Sequence, residues 1–218
     1  MNKEPLSVPL PTIRRIPAYL HQLQEFQKKK VEWVSTTDIA QRLELKPIQV
    51  RKDMAFTGIT GTPKRGYKVT ELRNAILQFL GWNNTSDALL VGAGALGSAL
   101  LGYHGITDHG LNIIAAFDKD PAKTDKKIHG KEVFPVHKLP DIAARMFIQI
   151  GIITVPAAAA QETADLLVES GIKAIWNFSP AKLKVPEDVV VQKEDLSAGL
   201  AVLSVKLRNN ITNPKDEE

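Results

Sequence analysis

Apolar residues follow two different rhythms along this chain. Up to about residue 80 they recur in short bursts at helical spacing. Ile16, Leu20, Leu23 and Phe26 predict a helix opening at Pro17 and closing in Lys28-Lys29-Lys30. Val31, Trp33 and Val34 predict a short extended piece, and Ser35-Thr36-Thr37-Asp38 supplies cap residues for a helix from Thr37 or Asp38 to Leu43. Leu45-Lys46-Pro47 turns the chain into a third helix reaching about Phe56, with Val50 and Met54 facing the core. Gly58, Gly61, Pro63 and Gly66 then mark turns, after which Tyr67 and Val69 return as a strand. Leu72, Ile76, Leu77 and Leu80 pattern a last helix, and residues 81–86 read as a linker.

Beyond residue 87 the rhythm changes to short apolar runs alternating with helical stretches, the pattern of a doubly wound parallel sheet. The predicted strands are Ala88–Val91, Leu111–Phe117, Phe134–Val136, Ile148–Val155, Ile172–Trp176 and Val189–Val191. Helices are expected from Ala95 to about Tyr103, over Ile142–Phe147 and over Ala157–Val168. The fold class is therefore α/β, with a winged-helix domain over 1–81, a Rossmann-like sheet over 82–194 and a C-terminal helix and tail over 195–218. Leu196, Leu200, Leu203 and Leu207, with Ala201 and Val205 alongside, make that last helix apolar on more than one face. Its expected partner is another subunit, since the sheet already has its cover helices.

The first strand ends in Gly92-Ala93-Gly94-Ala95-Leu96-Gly97, and the second ends in Asp118, twenty-one residues after Gly97. Strand, glycine turn, helix and acid in this order form a dinucleotide-binding fingerprint. Gly92 permits the tight turn, Gly94 lets backbone approach a pyrophosphate, and Gly97 lets helix pack on strand. Asp118 is the expected partner of the adenosine ribose hydroxyls, and its charge favours NAD(H) over NADP(H) even with Lys119 beside it. Ligands of such sheets sit beyond the carboxyl ends of the strands. That adds Thr154, Val155, Pro156, Asn177, Phe178 and Ser179 to the candidate cofactor residues. The cofactors expected are NADH and NAD+.

Charge is unevenly placed. Residues 1–80 hold 14 Lys+Arg against 7 Asp+Glu, whereas residues 81–218 are slightly acidic, so the first domain is expected to meet a polyanion. Two short helices joined by a tight turn, the second carrying glutamine and paired basic residues, is helix-turn-helix grammar. The candidate DNA contacts are Lys46, Gln49, Arg51 and Lys52 around the third helix and Lys64, Arg65 and Tyr67 in the wing. Gln49 suits an adenine edge, Arg51 or Lys52 a guanine or phosphate, and Arg65 a narrow minor groove.

Absence of cysteine excludes disulfides, thiolate metal sites and cysteine nucleophiles. No apolar run approaches a membrane span and the first eleven residues lack a signal core, which predicts a soluble cytoplasmic protein. The five histidines are scattered, with His104 and His109 expected to flank a loop, and none is paired for hydride transfer or metal binding. Binding without catalysis is the better reading. An NAD-dependent dehydrogenase with a basic appendage, and a coenzyme A-binding module, are the alternatives.

Gln49-Val50-Arg51-Lys52-Asp53, Val91 to Gly97, Ala116-Phe117-Asp118, Leu166 to Lys173 and Asn177-Phe178-Ser179-Pro180 together resemble the redox-sensing transcriptional repressor family Rex, over about residues 12–208. The resemblance implies a homodimer on palindromic double-stranded operator DNA that lets go when NADH binds, with the C-terminal helix swapped onto the partner. It also implies a redox switch of Arg15, Tyr103 and Asp195, and nicotinamide-side positions at Thr154-Val155-Pro156 and Phe178-Ser179. The chain departs from the family pattern at Phe56-Thr57-Gly58, and in the wing, where Lys64-Arg65 stands two places further along a loop of equal length.

Overall fold

A computed structural model describes residues 8–212, apart from the side chains of 196 and 209–212. Residues 1–7, the tail 213–218 and the Leu196 side chain, all part of the sequence reading, lie outside the described residues. The chain forms two compact units that divide between Asn84 and Thr85.

The first unit holds α1 (Leu10–Lys28), β1 (Trp33–Val34), α2 (Thr36–Arg42), α3 (Pro47–Ala55), β2 (Tyr67–Lys68) and α4 (Val69–Leu80). Ile16, Leu20, Leu23, Ile39, Val50, Met54, Val69, Leu72 and Ile76 form its core. Each such side chain contributes about 1.5–3 kcal/mol on burial. α1 starts seven residues before Pro17, which lies inside it. Proline has no N–H for the carbonyl four residues earlier and normally breaks a helix. Here the turn before it is tied down from outside, because Thr12 and Arg15 both bond Asp53 of α3. α2 opens in a reciprocal cap: Ser35 Oγ accepts from Asp38 N at 3.1 Å, and Asp38 Oδ2 accepts from Ser35 N at 2.8 Å. β1 and β2 pair antiparallel, Trp33 opposite Lys68 and Val34 opposite Tyr67. Val69, expected in the strand, instead begins α4 with its side chain buried.

The second unit is a seven-stranded sheet in the order β5-β6-β4-β3-β7-β8-β9. The strands are β3 (Ser86–Val91), β4 (Leu111–Asp118), β5 (Lys126–Ile128), β6 (Lys131–Pro135), β7 (Ile150–Ile153), β8 (Ala174–Asn177) and β9 (Val190–Lys193). All neighbours are parallel except β5 and β6, an edge hairpin. Its turn places His129 and Gly130 at positive φ, the conformation a two-residue hairpin requires. The helices are α5 (Ala95–Leu101), α6 (His104–Asp108), α7 (Leu139–Arg145), α8 (Ala157–Glu169) and α9 (Leu196–Thr212). His104 and His109 therefore bracket a short helix rather than a loop. β3 is buried on both faces: Leu89 and Val91 pack with Ala160, Ala164 and Leu167 of α8, while Ala88 and Leu90 pack with Leu101 and Ile106 of α5 and α6. That double burial is why its sequence is a continuous apolar run. On α9, Leu200, Val202, Leu203, Val205 and Leu207 are 46–64% exposed.

Candidate functional site

In the second unit, chain direction brings the carboxyl ends of β3, β4 and β7 to one edge. A cleft of about 1030 Å³ opens there, lined by Gly92, Gly94, Asp118, Lys119, Asp120, Lys123, Thr154, Val155 and Pro156 among others. The three glycines of the turn serve different ends. Gly92 has φ +106, and a Cβ on it would fall 2.9 Å from the Thr154 carbonyl carbon. A Cβ on Gly97 would fall 2.0 Å from the Gly92 carbonyl oxygen. Packing within the chain thus demands both. A Cβ on Gly94 would meet nothing within 4 Å, so nothing in the chain requires glycine there. Its bare backbone lies on the cleft, where an approaching ligand would require it. Thr154 Oγ1 lies 3.0 Å from the Val91 carbonyl oxygen and 2.7 Å from that of Gly92, holding the end of β7 against the turn.

Asp118 is buried and braces the same turn. Its Oδ2 accepts from Ala93 N at 2.8 Å and its Oδ1 from Asp120 N at 2.9 Å. Lys123 Nζ lies 3.3 Å from Oδ2. A carboxylate has about four acceptor sites, so capacity remains on Oδ1. Lys123 was not foreseen from the sequence; its only signal is a position five residues beyond the acid in an Asp-Lys-Asp-Pro turn.

Of the other cofactor candidates, Ala93 and Gly97 are buried behind the turn, and Ala95 and Leu96 open α5. Asn177 and Ser179 point into the fold: Asn177 Nδ2 donates to Ala181 O at 3.0 Å, and its Oδ1 accepts from Ser179 N at 2.9 Å. They shape the turn after β8 that carries Phe178, whose ring centroid lies 4.8 Å from that of Trp176. This turn is not part of the cleft lining, although Asn177 sits in register with Ile153, next to Thr154. Tyr103 is 63% exposed, its ring over Gly105, and Asp195 caps α9 through Ser197 N at 3.0 Å. Hydrogen bonds from Ser197 hold the Asp195 carboxyl below the usual carboxylate range. Among the described residues no cluster of three His, Cys, Asp or Glu is placed to hold a metal ion.

The first unit carries a second polar cleft, of about 480 Å³, between the start of α2 and the wing. Arg51, Lys64, Arg65 and Tyr67 line it. The wing is a tight loop in which Thr62 N donates to Gly66 O at 2.6 Å and Gly66 N to Thr62 O at 2.9 Å. Gly66 has φ +84, and a Cβ there would sit 2.3 Å from the Val34 carbonyl oxygen. At the tip, the Arg65 guanidinium lies over the Trp33 ring, 4.1 Å from its centroid. Lys46, Arg51 and Lys52 are exposed, whereas Gln49 is half-buried.

Behind this surface lies a cluster with no signature in the sequence. Asp53 of α3 is fully buried and accepts from five donors: Thr12 Oγ1 at 3.0 Å, Arg15 Nε at 2.8 Å, Arg15 Nη2 at 2.9 Å, Tyr19 Oη at 2.6 Å and Gln49 Nε2 at 3.1 Å. Burial pushes the Asp53 carboxyl up, but hydrogen bonds from Arg15, Tyr19, Thr12 and Gln49 more than offset it and hold it below the ordinary range. Desolvation and the hydrogen bond to Asp53 push the Tyr19 phenol up. Arg15, a switch residue by resemblance, thus has a carboxylate partner inside its own unit.

Residues 7–55 match the family of putative DNA-binding protein N-termini, and residues 83–181 match the CoA binding domain family. The redox-sensing transcriptional repressor Rex of Treponema denticola is 51% identical over 197 residues, covering 90% of this chain and 94% of that protein. Its counterpart in Carboxydothermus hydrogenoformans is 43% identical, covering 93% and 98%. Among solved structures, the crystal structure of RSP in complex with β-NAD+ and operator DNA superposes with a TM-score of 0.88 at 37% identity, covering 97% of each chain. RSP in complex with β-NADH gives 0.86 at 36%, covering 98% of this chain and all of that one. With both units matched in a single stretch, this protein belongs to the Rex family of redox-sensing transcriptional repressors.

Proposed function

We propose that this protein is a transcriptional repressor that senses the balance of NADH and NAD+, holding operator DNA when NADH is low and releasing it when NADH binds. The observation that carries this reading is the union, in one chain, of a basic helix-and-wing surface with a glycine-lined cleft whose Gly94 is open to a ligand and to nothing else. The named complexes of RSP with both nicotinamide forms and with operator DNA support it. The relatives at 51% and 43% identity are redox-sensing transcriptional repressors by name.

The first unit is assigned to DNA and the second to the dinucleotide. The cleft residues fit such a group: the Gly92–Gly97 turn offers backbone to the pyrophosphate, Asp118 keeps acceptor capacity for the ribose, and Thr154, Val155 and Pro156 are assigned to the nicotinamide side, to which the family resemblance adds Phe178 and Ser179 from the turn after β8, outside the cleft lining. The nicotinamide supplies a redox-dependent charge, positive when oxidised and absent when reduced. Val155 and Pro156 present hydrocarbon to the cleft, which disfavours a buried cation and so favours NADH. Tyr103, Asp195 and Arg15 are assigned to the relay between cofactor and DNA. NADH shifts the equilibrium only by its differential affinity for the two states.

A homodimer is part of the same reading, supported by the exposed leucines and valines of α9. Two recognition helices then require half-sites about one helical turn apart, hence a palindromic operator. No described helix is long and apolar enough to cross a membrane. An operator-binding repressor works beside the chromosome, so the reading puts the protein in the cytoplasm.

The test is operator affinity measured by gel shift with and without saturating NADH or NAD+, in the wild type, Tyr103→Phe and Asp195→Ala. NADH releases the wild type, NAD+ does not, and both variants bind DNA but resist release. Equal affinity under all conditions overturns the coupling.

A further inference from the structure

Helix α3 divides its side chains sharply. Val50, Asp53 and Met54 are buried, while Pro47, Ile48, Arg51, Lys52 and Ala55 are exposed. Of these, Ile48, Arg51, Lys52 and Ala55 are spaced i, i+3, i+4, i+7 and so form one stripe, with Pro47 at its flank. At its amino-terminal end stands Ile48, 54% exposed. β-branching gives it no advantage as a helix former, and it is not part of the unit's core. Gln49, the adenine reader expected from the sequence, is turned toward the flank, with Nε2 on the Asp53 carboxylate at 3.1 Å. The outward side chains of the first helical turn, Pro47 and Ile48, are therefore apolar, and Ile48 is followed on its own stripe by two cations.

Resting on the DNA-binding reading above, we propose that Ile48 is a specificity-determining residue that packs against the C5-methyl group of a thymine in the major groove. Charge complementarity commits the stripe to a duplex: Arg51 shares the wing cleft with Lys64 and Arg65, so cations stand beside Ile48 where phosphates would flank the groove. Within that groove the thymine methyl is the one apolar group a base pair presents. A branched aliphatic side chain at the leading end of the helix matches it in size and chemistry. Arg51 and Lys52 then supply affinity and any guanine contact, while Ile48 supplies preference for A·T at one position of each half-site.

The experiment uses the full-length protein and a duplex enriched by the wild type from a random library. Each thymine of the enriched half-site is replaced in turn by deoxyuridine, which removes only the methyl group, and affinity is read by fluorescence anisotropy. At one thymine per half-site the wild type loses about fourfold, the weight of one methyl group taken out of water. Ile48→Ala loses affinity for the thymine duplex but shows no further loss at that deoxyuridine, and Ile48→Val keeps most of the wild-type response. A deoxyuridine cost of the same size in the wild type and in Ile48→Ala at every position overturns the inference alone. Failure of the wild type to enrich any duplex overturns the DNA-binding reading, and the inference with it.

Discussion

Arg15 and Asp53 form a two-point ion pair, Nε to Oδ2 at 2.8 Å and Nη2 to Oδ1 at 2.9 Å, that fastens the first helix to the third across 38 residues of sequence. The aspartate is fully buried and the arginine partly exposed, so the charge that depends on the pair is the carboxylate. Arg15→Ala is expected to lower the stability of the first unit by about 1.5–3 kcal/mol, the usual weight of hydrogen bonds to a charged group. Urea denaturation followed by circular dichroism checks it, and an unchanged midpoint contradicts it.

The same pair sets an acid limit. The Asp53 carboxyl is held below its ordinary value in the folded state, so its contribution is complete above the unfolded value of about 3.9 and disappears as pH falls through the lower folded one. Asp53→Asn is expected to be less stable at pH 7 and to lose less on acidification. Parallel pH–stability curves for wild type and variant would rule this out.

The glycines of the turn separate fold from ligand. Gly97→Ala forces a Cβ to 2.0 Å from the Gly92 carbonyl and should lower the melting temperature, whereas Gly94→Ala should leave it unchanged. Gly94→Ala is nonetheless expected to weaken NADH binding at least tenfold, read by nicotinamide fluorescence. Full-strength binding by a normally folded Gly94→Ala would place the pyrophosphate elsewhere.

Asp118→Ala is expected to weaken NADH binding by about ten- to a hundredfold and to narrow the preference against NADPH, since one charge-assisted hydrogen bond and one repulsive charge are lost. Because Asp118 also holds the Ala93 amide, Asp118→Asn should fall between the two. Titration of both nucleotides against all three proteins checks the order.

Arg51→Ala and Lys52→Ala remove the cations of the exposed stripe. Each should lower affinity for DNA, and a residue on a phosphate should reduce the log–log salt slope by about 0.9. Identical slopes in wild type and both variants would remove this helix from the interface.

Legibility in the sequence tracked how far apart the determining residues lie. The glycine turn and Asp118 were readable because strand, turn and acid follow one another, and β3 because both its faces are buried. The Asp53 cluster was not, because its partners Thr12, Arg15 and Tyr19 stand 34 to 41 residues away and only folding brings them in. The true start of α1 was hidden for the same reason: local propensity stops at Pro17, and the contact that overrides it is tertiary. The hairpin of β5 and β6 was missed because Lys126-Lys127-Ile128 has no apolar alternation; its geometry comes from His129 and Gly130. Among the site residues, Lys123 and the inward Asn177 show that a motif names the neighbourhood of a ligand more surely than the direction of each side chain.

The stacking of Arg65 on Trp33 has a thermodynamic consequence. A free arginine side chain carries about 2 kcal/mol of rotamer entropy, and a loop tip adds backbone freedom of its own. Here the aromatic plate and the paired Thr62 and Gly66 amides remove much of that freedom during folding, before any nucleic acid arrives. On the DNA-binding reading proposed above, association at the wing orders little that is new, so a larger share of each contact is expected to appear as affinity.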